Sequence, residues 1–441
     1  MKNKYTFKLL ILFIFLLIGI LHNTALAKVY IDIDAPGFQQ FPIAVCDFQN
    51  KKAGALPSAE FNTAIADNIR HYLYLSGIFN VLDKKSFLEG VEPGTPETIR
   101  FSDWSVIGAD FLLRGDMIII AGQNDVIVES RLYDVTRGQM LSNKKYSGKI
   151  GDLPAFARAI AADTLLALTG DEGDFNTQIA FVIKKKVGAD IYTMNYDASD
   201  MKNLTNHQSI VASPRWSPDG QYLAFTSYKG SRPEVYLRFL KTGKEKKVAS
   251  FPGLNLCGSF SPDSKKLLLT LSKDGNEEIY TLDIDSMTLK RLTHSYSIDV
   301  SPAWSPDSKK IAFVSNRSGS PQVFVMDADG NNVKRITFEG NYNTSPSWSP
   351  RGGRIAYEGL INHKYQIFSV DEGGNNLIQL TFDDADNEYP SWSPSGRQIV
   401  FSSRQGSKSR ISIMNSNGLN TRVLKENKDH LVMPSWSPRF K

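Results

Sequence analysis

A beat of 44 residues governs most of this chain and narrows what it can fold into. The phrase Trp216-Ser-Pro-Asp-Gly220 returns as Phe260-Ser-Pro-Asp-Ser264, Trp304-Ser-Pro-Asp-Ser308, Trp348-Ser-Pro-Arg-Gly352, Trp392-Ser-Pro-Ser-Gly396 and Trp436-Ser-Pro-Arg439, always 44 residues on. Self-similarity at a period in the low forties marks the four-stranded blade of a β-propeller. Further phases keep the interval. Ile179-Ala-Phe181 echoes in Leu223-Ala-Phe225 and Ile311-Ala-Phe313, Ile191-Tyr192 in Val235-Tyr236 and Ile279-Tyr280, and Leu204-Thr205 in Leu292-Thr293 and Ile336-Thr337. Runs of β-branched and aromatic residues parted by turn residues read as strands. In Ser217-Pro218-Asp219-Gly220, Ser at i, Pro at i+1 and Gly at i+3 spell a type I turn. Ser264 and Ser308 are read as tolerated variants at its last position. The aromatic residue before each turn is expected to fill the space between neighbouring sheets.

The copies are circularly permuted. Residues 178–205 carry three strand phases with no Trp-Ser-Pro before them, and Trp436-Ser-Pro438 has no strands after it. Joining residues 433–438 to residues 178–205 completes a sixth blade from both ends of the domain. Closure of this kind removes the open edges that a sheet must otherwise protect. The expected fold is a mixed α/β domain at residues 28–174 followed by a six-bladed β-propeller at residues 175–441, closed by the C-terminal strand.

Residues 1–27 are set apart. Lys2, Lys4 and Lys8 precede a nearly unbroken apolar run from Leu9 to Leu21, and Ala25-Leu26-Ala27 offers a small-x-small cleavage site, the pattern of a secretory signal peptide. The run is short for a membrane span, which needs about 20 residues. Removal of three Lys changes the formal charge from +5 to 5 − 3 = +2. So slight a balance argues against a nucleic-acid binder or a basic membrane-surface protein. Cys46 and Cys257 fall in different domains and read as separate thiols.

Between residues 28 and 174 the beat is absent. Residues 43–48 and 79–82 read as strands. A helix opening at Ser58 carries Phe61, Ile65, Ile69 and Leu73 on one face and stops at Gly77. A short helix at 102–107, an antiparallel run over 110–120, 126–135 and 139–147, and a last helix over 152–168 ending at Gly170 complete the expectation.

Catalytic patterns are missing. There is no Gly-x-Ser-x-Gly elbow and no chain after the propeller to build a hydrolase domain. The five His beyond the leader, His71, His207, His294, His363 and His430, show no zinc spacing and read as surface residues. Asp383, Asp384 and Asp386 form an acidic loop rather than an evident Ca²⁺ cage. No cofactor is expected. What remains is binding. In a closed propeller, equivalent residues form rings about the axis, and the connection before each Trp-Ser-Pro strand is such a place. One phase reads Val211, Asn255, Asp299, Asn343, Asn387 and Leu431; the next reads Ala212, Leu256, Val300, Thr344, Glu388 and Val432. These positions vary while the strands repeat, as expected where recognition is grafted on a fixed scaffold. The competing class is a secreted propeller hydrolase or lyase, which predicts clustered carboxylates or a metal at the mouth. Asp299 and Glu388 are the only acids in those phases.

The ordered set of a leader, a small α/β domain and a terminal propeller resembles the TolB family, the periplasmic propeller component of the Tol-Pal system. The local resemblance is strongest at Val248-Ala-Ser-Phe-Pro252, Pro321-Gln-Val-Phe324, Arg335-Ile-Thr-Phe-Glu-Gly340 and Pro434-Ser-Trp-Ser-Pro438. It implies a monomeric, non-catalytic periplasmic protein that inserts in no membrane and supports outer-membrane integrity and invagination during cell division. It implies two partners: the lipoprotein Pal on the propeller, and the inner-membrane-anchored protein TolA on the mature N-terminus. Here that terminus is Lys28, Val29, Tyr30, Ile31, Asp32 and Ile33, whose alternation suits a strand added to a partner's sheet edge. Asn255, Leu256, Asp299, Val300, Asn343, Thr344, Asn387 and Glu388 are the corresponding candidates on the propeller. The family's His and Thr-Glu pair on the Pal face are absent from the matching stretches, Gly253-Leu-Asn-Leu-Cys257 and Ser297-Ile-Asp-Val-Ser301.

Overall fold

The computed structural model describes residues 38–50, 58–87, 99–120 and 124–440. The expected leader and residues 28–33 lie outside them. Among the described residues, no helix is long and apolar enough to cross a membrane.

The first unit is a mixed sheet. Its strands are β1 (Phe41–Val45), β2 (Gln49–Asn50), β3 (Phe79–Val81), β4 (Phe111–Ile120), β5 (Asp125–Asp134) and β6 (Gln139–Lys149). The order is β3-β1-β4-β5-β6, with β2 added beside β4. β1 runs parallel to both neighbours, whereas β4, β5 and β6 are antiparallel. Two helices cover it: α1 (Ser58–Ser76) and, after the short α2 (Phe101–Val106), α3 (Leu153–Thr169). Along α1 the stripe Ile65, Ile69 and Leu73 is buried as expected. Gly77, at φ +70°, ends that helix, and Gly170, at φ +77°, ends α3 by donating its N–H to Leu166 O. Only glycine takes such backbone angles without cost. Cys46 and Cys257 are unbridged.

The expected six-bladed propeller follows as six four-stranded sheets. The first blade is typical: Val211–Trp216 lies at the axis, then Tyr222–Ser227, Glu234–Phe239 and Glu245–Ala249 step outward. The sixth blade is composite. His430–Trp436 pairs antiparallel with Gln178–Lys184, setting Trp436 opposite Ile179 and Val432 opposite Val182. Trp436 also donates its indole N–H to Thr177 Oγ1 at 2.9 Å, and the Ser437 N–H reaches Gln178 O at 2.9 Å.

Each inner strand is interrupted by a bulge, and in five of the six it falls at an X-Pro pair. Ser213, Ser301, Ser345, Tyr389 and Met433 all take positive φ immediately before a proline. Proline lacks the N–H a ladder needs, so a bulge is where a strand can hold it. The second blade departs: Gly258 replaces the proline, and a Cβ there would lie 2.8 Å from Leu268 O. The aromatic residues before the turns are buried between blades, with Trp216 at 7% and Phe260 at 5% exposure. The turns carry a cost that pattern reading passed over. Ser264 and Ser308 sit at φ +62°, where Gly220 stands in the first blade at φ +70°.

Candidate partner-binding face

The two ends of the propeller differ because the first unit covers one of them. Antiparallel strands put every Trp-Ser-Pro turn at one end and every connection into an inner strand at the other. The first unit docks on the turn end, over the fifth and sixth blades. Asp171 bonds Arg397 at 2.7 Å and Arg439 at 3.0 Å, while Asp174 bonds Arg439 at 3.1 Å and Ser395. Tyr72 donates to Asp197 Oδ2 at 2.7 Å. Gln398 Nε2 donates to Leu75 O at 2.8 Å and Ser76 O at 3.2 Å. One apolar cluster runs through the junction, from Ile65 and Leu73 through Phe175 and Tyr196 to Val400 and Trp436.

The opposite end is open. Its connections hold large apolar side chains in solvent: Tyr296 fully exposed, Phe382 at 77%, Phe338 at 63%, with Ile210, Ile298 and Tyr342 also exposed. Large apolar side chains left in solvent on several loops of one end are a feature of protein-binding surfaces.

The eight propeller positions named from the sequence divide into two sets. Asn255, Asp299, Asn343 and Asn387 are buried, at 0–2% exposure. This corrects their expected place on a contact surface: they brace its loops. The Asn255 side chain bonds the Phe251 N–H and the Phe251 and Gly253 carbonyls at 2.8–3.2 Å. Asp299 receives both oxygens' bonds from Arg317, at 3.0 and 2.8 Å. Asn343 ties Gln322 to Glu339 O, and Asn387 ties Gln366 to Asp383. A loop whose backbone is off-ladder must find partners for its polar groups, and these side chains supply them.

Leu256, Val300, Thr344 and Glu388 are half-buried at the mouth of the axis. Thr344 and Glu388 meet around Glu358, which the sequence reading passed over. Glu358 accepts from Thr344 Oγ1 at 2.6 Å, Ser345 Oγ at 2.9 Å and the Tyr389 N–H at 2.7 Å. Burial pushes the Glu358 carboxyl upward. Glu388 is pushed up to about 7 by burial, reinforced by the Glu358 and Asp386 charges. The signal for Glu358 was present as a break in phase, since its equivalents are Val182, Thr226, Thr270, Val314 and Ser402. Asp386 pairs with Arg404 at 3.3 Å. Among the described residues, no group of three His, Cys, Asp or Glu is placed to hold a metal. His207, expected at the surface, is instead held between Ser227 Oγ at 2.8 Å and Glu245 Oε2 at 3.0 Å.

A closed propeller with a small α/β unit sealing part of one end and an apolar-studded opposite end defines a two-domain propeller protein. The TolB beta propeller domain matches residues 166–440, and the TolB amino-terminal domain matches residues 29–141. The chain belongs to the TolB family. It is 46% identical over 230 residues to the Tol-Pal system protein TolB of Syntrophus aciditrophicus, covering 51% of this chain and 50% of that one. Identity is 38% over 232 residues with the Tol-Pal system protein TolB of Desulfosudis oleivorans, 52% of each chain. The chain thus spans about half the length of the curated relatives it matches. The crystal structure of TolB from Acinetobacter baumannii superposes with a TM-score of 0.78 at 29% identity, covering 91% of this chain and 97% of that one.

Proposed function

We propose that this chain is a non-catalytic interaction component of the Tol-Pal system, working in the periplasm after loss of residues 1–27. Its open propeller end binds a Pal-like peptidoglycan-associated lipoprotein, and residues 28–33 bind a TolA-like inner-membrane-anchored protein. By linking the two it supports outer-membrane integrity and invagination at division. The observation that carries this reading is the asymmetry of the propeller: one end is partly sealed by the first unit, and the other holds Phe338, Phe382 and Tyr296 in solvent. Family membership supports the choice of partners. The test is a calorimetric titration of residues 28–441 with the organism's Pal-like domain. Saturable binding at micromolar concentration or tighter is expected, and silence would overturn the assignment. A second titration compares TolA binding with and without residues 28–33; equal affinity would remove the N-terminal part of the proposal.

A further inference from the structure

Inside the propeller, one residue breaks the symmetry of the axis. The position before each Trp-Ser-Pro aromatic reads Arg215, Ser259, Ala303, Ser347, Ser391 and Ser435. Five small residues leave room, and one guanidinium crosses it. Arg215 lines both a cavity of about 440 Å³ at the turn end and a smaller one of about 60 Å³ nearer the middle of the axis, so it stands between them.

Nothing balances that charge. Among the described residues Arg215 makes no hydrogen bond or ion pair, and the one titratable group acting on it is the Cys257 thiol. Burial lowers its pKa from the ordinary arginine value, yet guanidinium remains charged at any physiological pH. Arg215 is only partly exposed within the axis, and a guanidinium held there without a counter-ion favours the approach of an anion. The cavity therefore offers an unpaired cation and the serine residues Ser259, Ser347, Ser391 and Ser435. The rest of its wall is mostly aromatic and proline, with Ala303 and Ser305.

We infer that the turn-end cavity of the axis is a binding site for an organic carboxylate, held head-on by Arg215 with its apolar body against the aromatic and proline ring. Guanidinium matches a carboxylate with two parallel bonds, and the volume suits a small ligand. An inorganic ion would leave the apolar walls unused. The carboxylate comes either from a free small molecule or from the end of a polypeptide, and two probes separate these sources.

Residues 28–441 are titrated with benzoate, with the tripeptide Gly-Gly-Phe and with uncharged benzamide, following tryptophan emission, since three of the six Trp line the cavity. Saturable response to benzoate is expected, with benzamide at least tenfold weaker. Response to the tripeptide alone assigns the carboxylate to a polypeptide and still supports the site. Arg215→Ser copies the residue of four other blades, and Arg215→Met keeps bulk without charge. Each should weaken binding at least tenfold while circular dichroism stays unchanged. Silence with both carboxylates, or equal affinity in Arg215→Met, overturns the inference. None of these outcomes depends on Pal binding at the other end.

Discussion

The backbone oxygen of Gly77 accepts a 3.1 Å hydrogen bond from Nδ2 of Asn415, a residue 338 positions later in the chain. Asn420 Nδ2 adds a second bond to the same oxygen at 3.1 Å. Arg422 fixes the Asn415 amide, reaching its Oδ1 from two guanidinium nitrogens at 3.2 Å each. The glycine that ends α1 is thus also the point where the first unit is pinned to the fifth blade. One glycine ends the helix through its backbone angle and adds to the docking of the propeller through its carbonyl.

Gly77→Ala is the sharpest test of that pin. A Cβ there would lie 2.1 Å from Asn415 Oδ1 and 2.1 Å from Arg422 Nη1, in a backbone held at φ +70°. The left-handed backbone alone costs about 1–2 kcal/mol with a side chain, and the clash adds to it. Chemical denaturation should show a loss of at least about 2 kcal/mol. An unchanged midpoint would mean the junction is not formed in solution.

The turn serines predict the opposite sign. Ser308 occupies a left-handed position that Gly220 fills in the first blade. Ser308→Gly should stabilise by about 0.5–1 kcal/mol, since relief of backbone strain exceeds the added freedom of the unfolded glycine. Thermal melting reads this directly, and a lower melting temperature would refute it.

Two carboxyl groups shape the pH dependence in opposite directions. Glu388 titrates at about 7 in the folded chain, against about 4.3 when unfolded. The folded form holds a proton that the unfolded form releases, so stability falls as pH rises through this window and levels above it. Glu245 behaves in reverse: despite burial, bonds from His207 and Lys229 hold it down at about 2. Its contribution is complete above about 4.3 and is lost as pH falls toward 2. Glu388→Gln should flatten the limb between pH 5 and 7, and Glu245→Gln the acid limb, in melting temperature measured against pH. Unchanged slopes in both variants would contradict the assignment.

Closure by the last strand predicts a large loss in one substitution. Trp436 is buried at 6% exposure, opposite Ile179, within the cluster that spans both units. Trp436→Ala should cost about 3–5 kcal/mol, the range for a large aromatic residue deleted from a core. A cost under about 1 kcal/mol would show that the sixth blade closes without it.

Much of this architecture was legible because a propeller states each blade six times. Trp216, Phe260 and their equivalents announce the interblade core, and the offset of Trp436 from Ile179 announces the closure. The first unit was legible only in its local pieces. That β1 lies between β3 and β4 follows from non-local parallel pairing, for which Ile43 and Phe111 carry no local mark. Asn255 and Asn387 misled because polar residues in a loop suggest a surface, whereas here their short amides satisfy the loop's own backbone. Gln398 and Asn415 carry no local mark of their docking role, since their partners Leu75 and Gly77 belong to another domain. Glu358 and Arg215 could have been found by asking which residue departs from its phase.

The central claim, recognition at the open end, is tested most directly by comparing Pal-like domain affinity for three proteins in one calorimetric series. Phe338 and Phe382 stand 63% and 77% exposed on that end, and Met201 stands 44% exposed on the turn following the third strand of the sixth blade, at the opposite end. Exposed aromatic anchors of an interface carry about 2 kcal/mol or more each. The double variant Phe338→Asp/Phe382→Asp should therefore lose at least tenfold in affinity, while Met201→Asp should match the unsubstituted protein. Equal binding by the double variant, or a loss confined to Met201→Asp, would contradict the account.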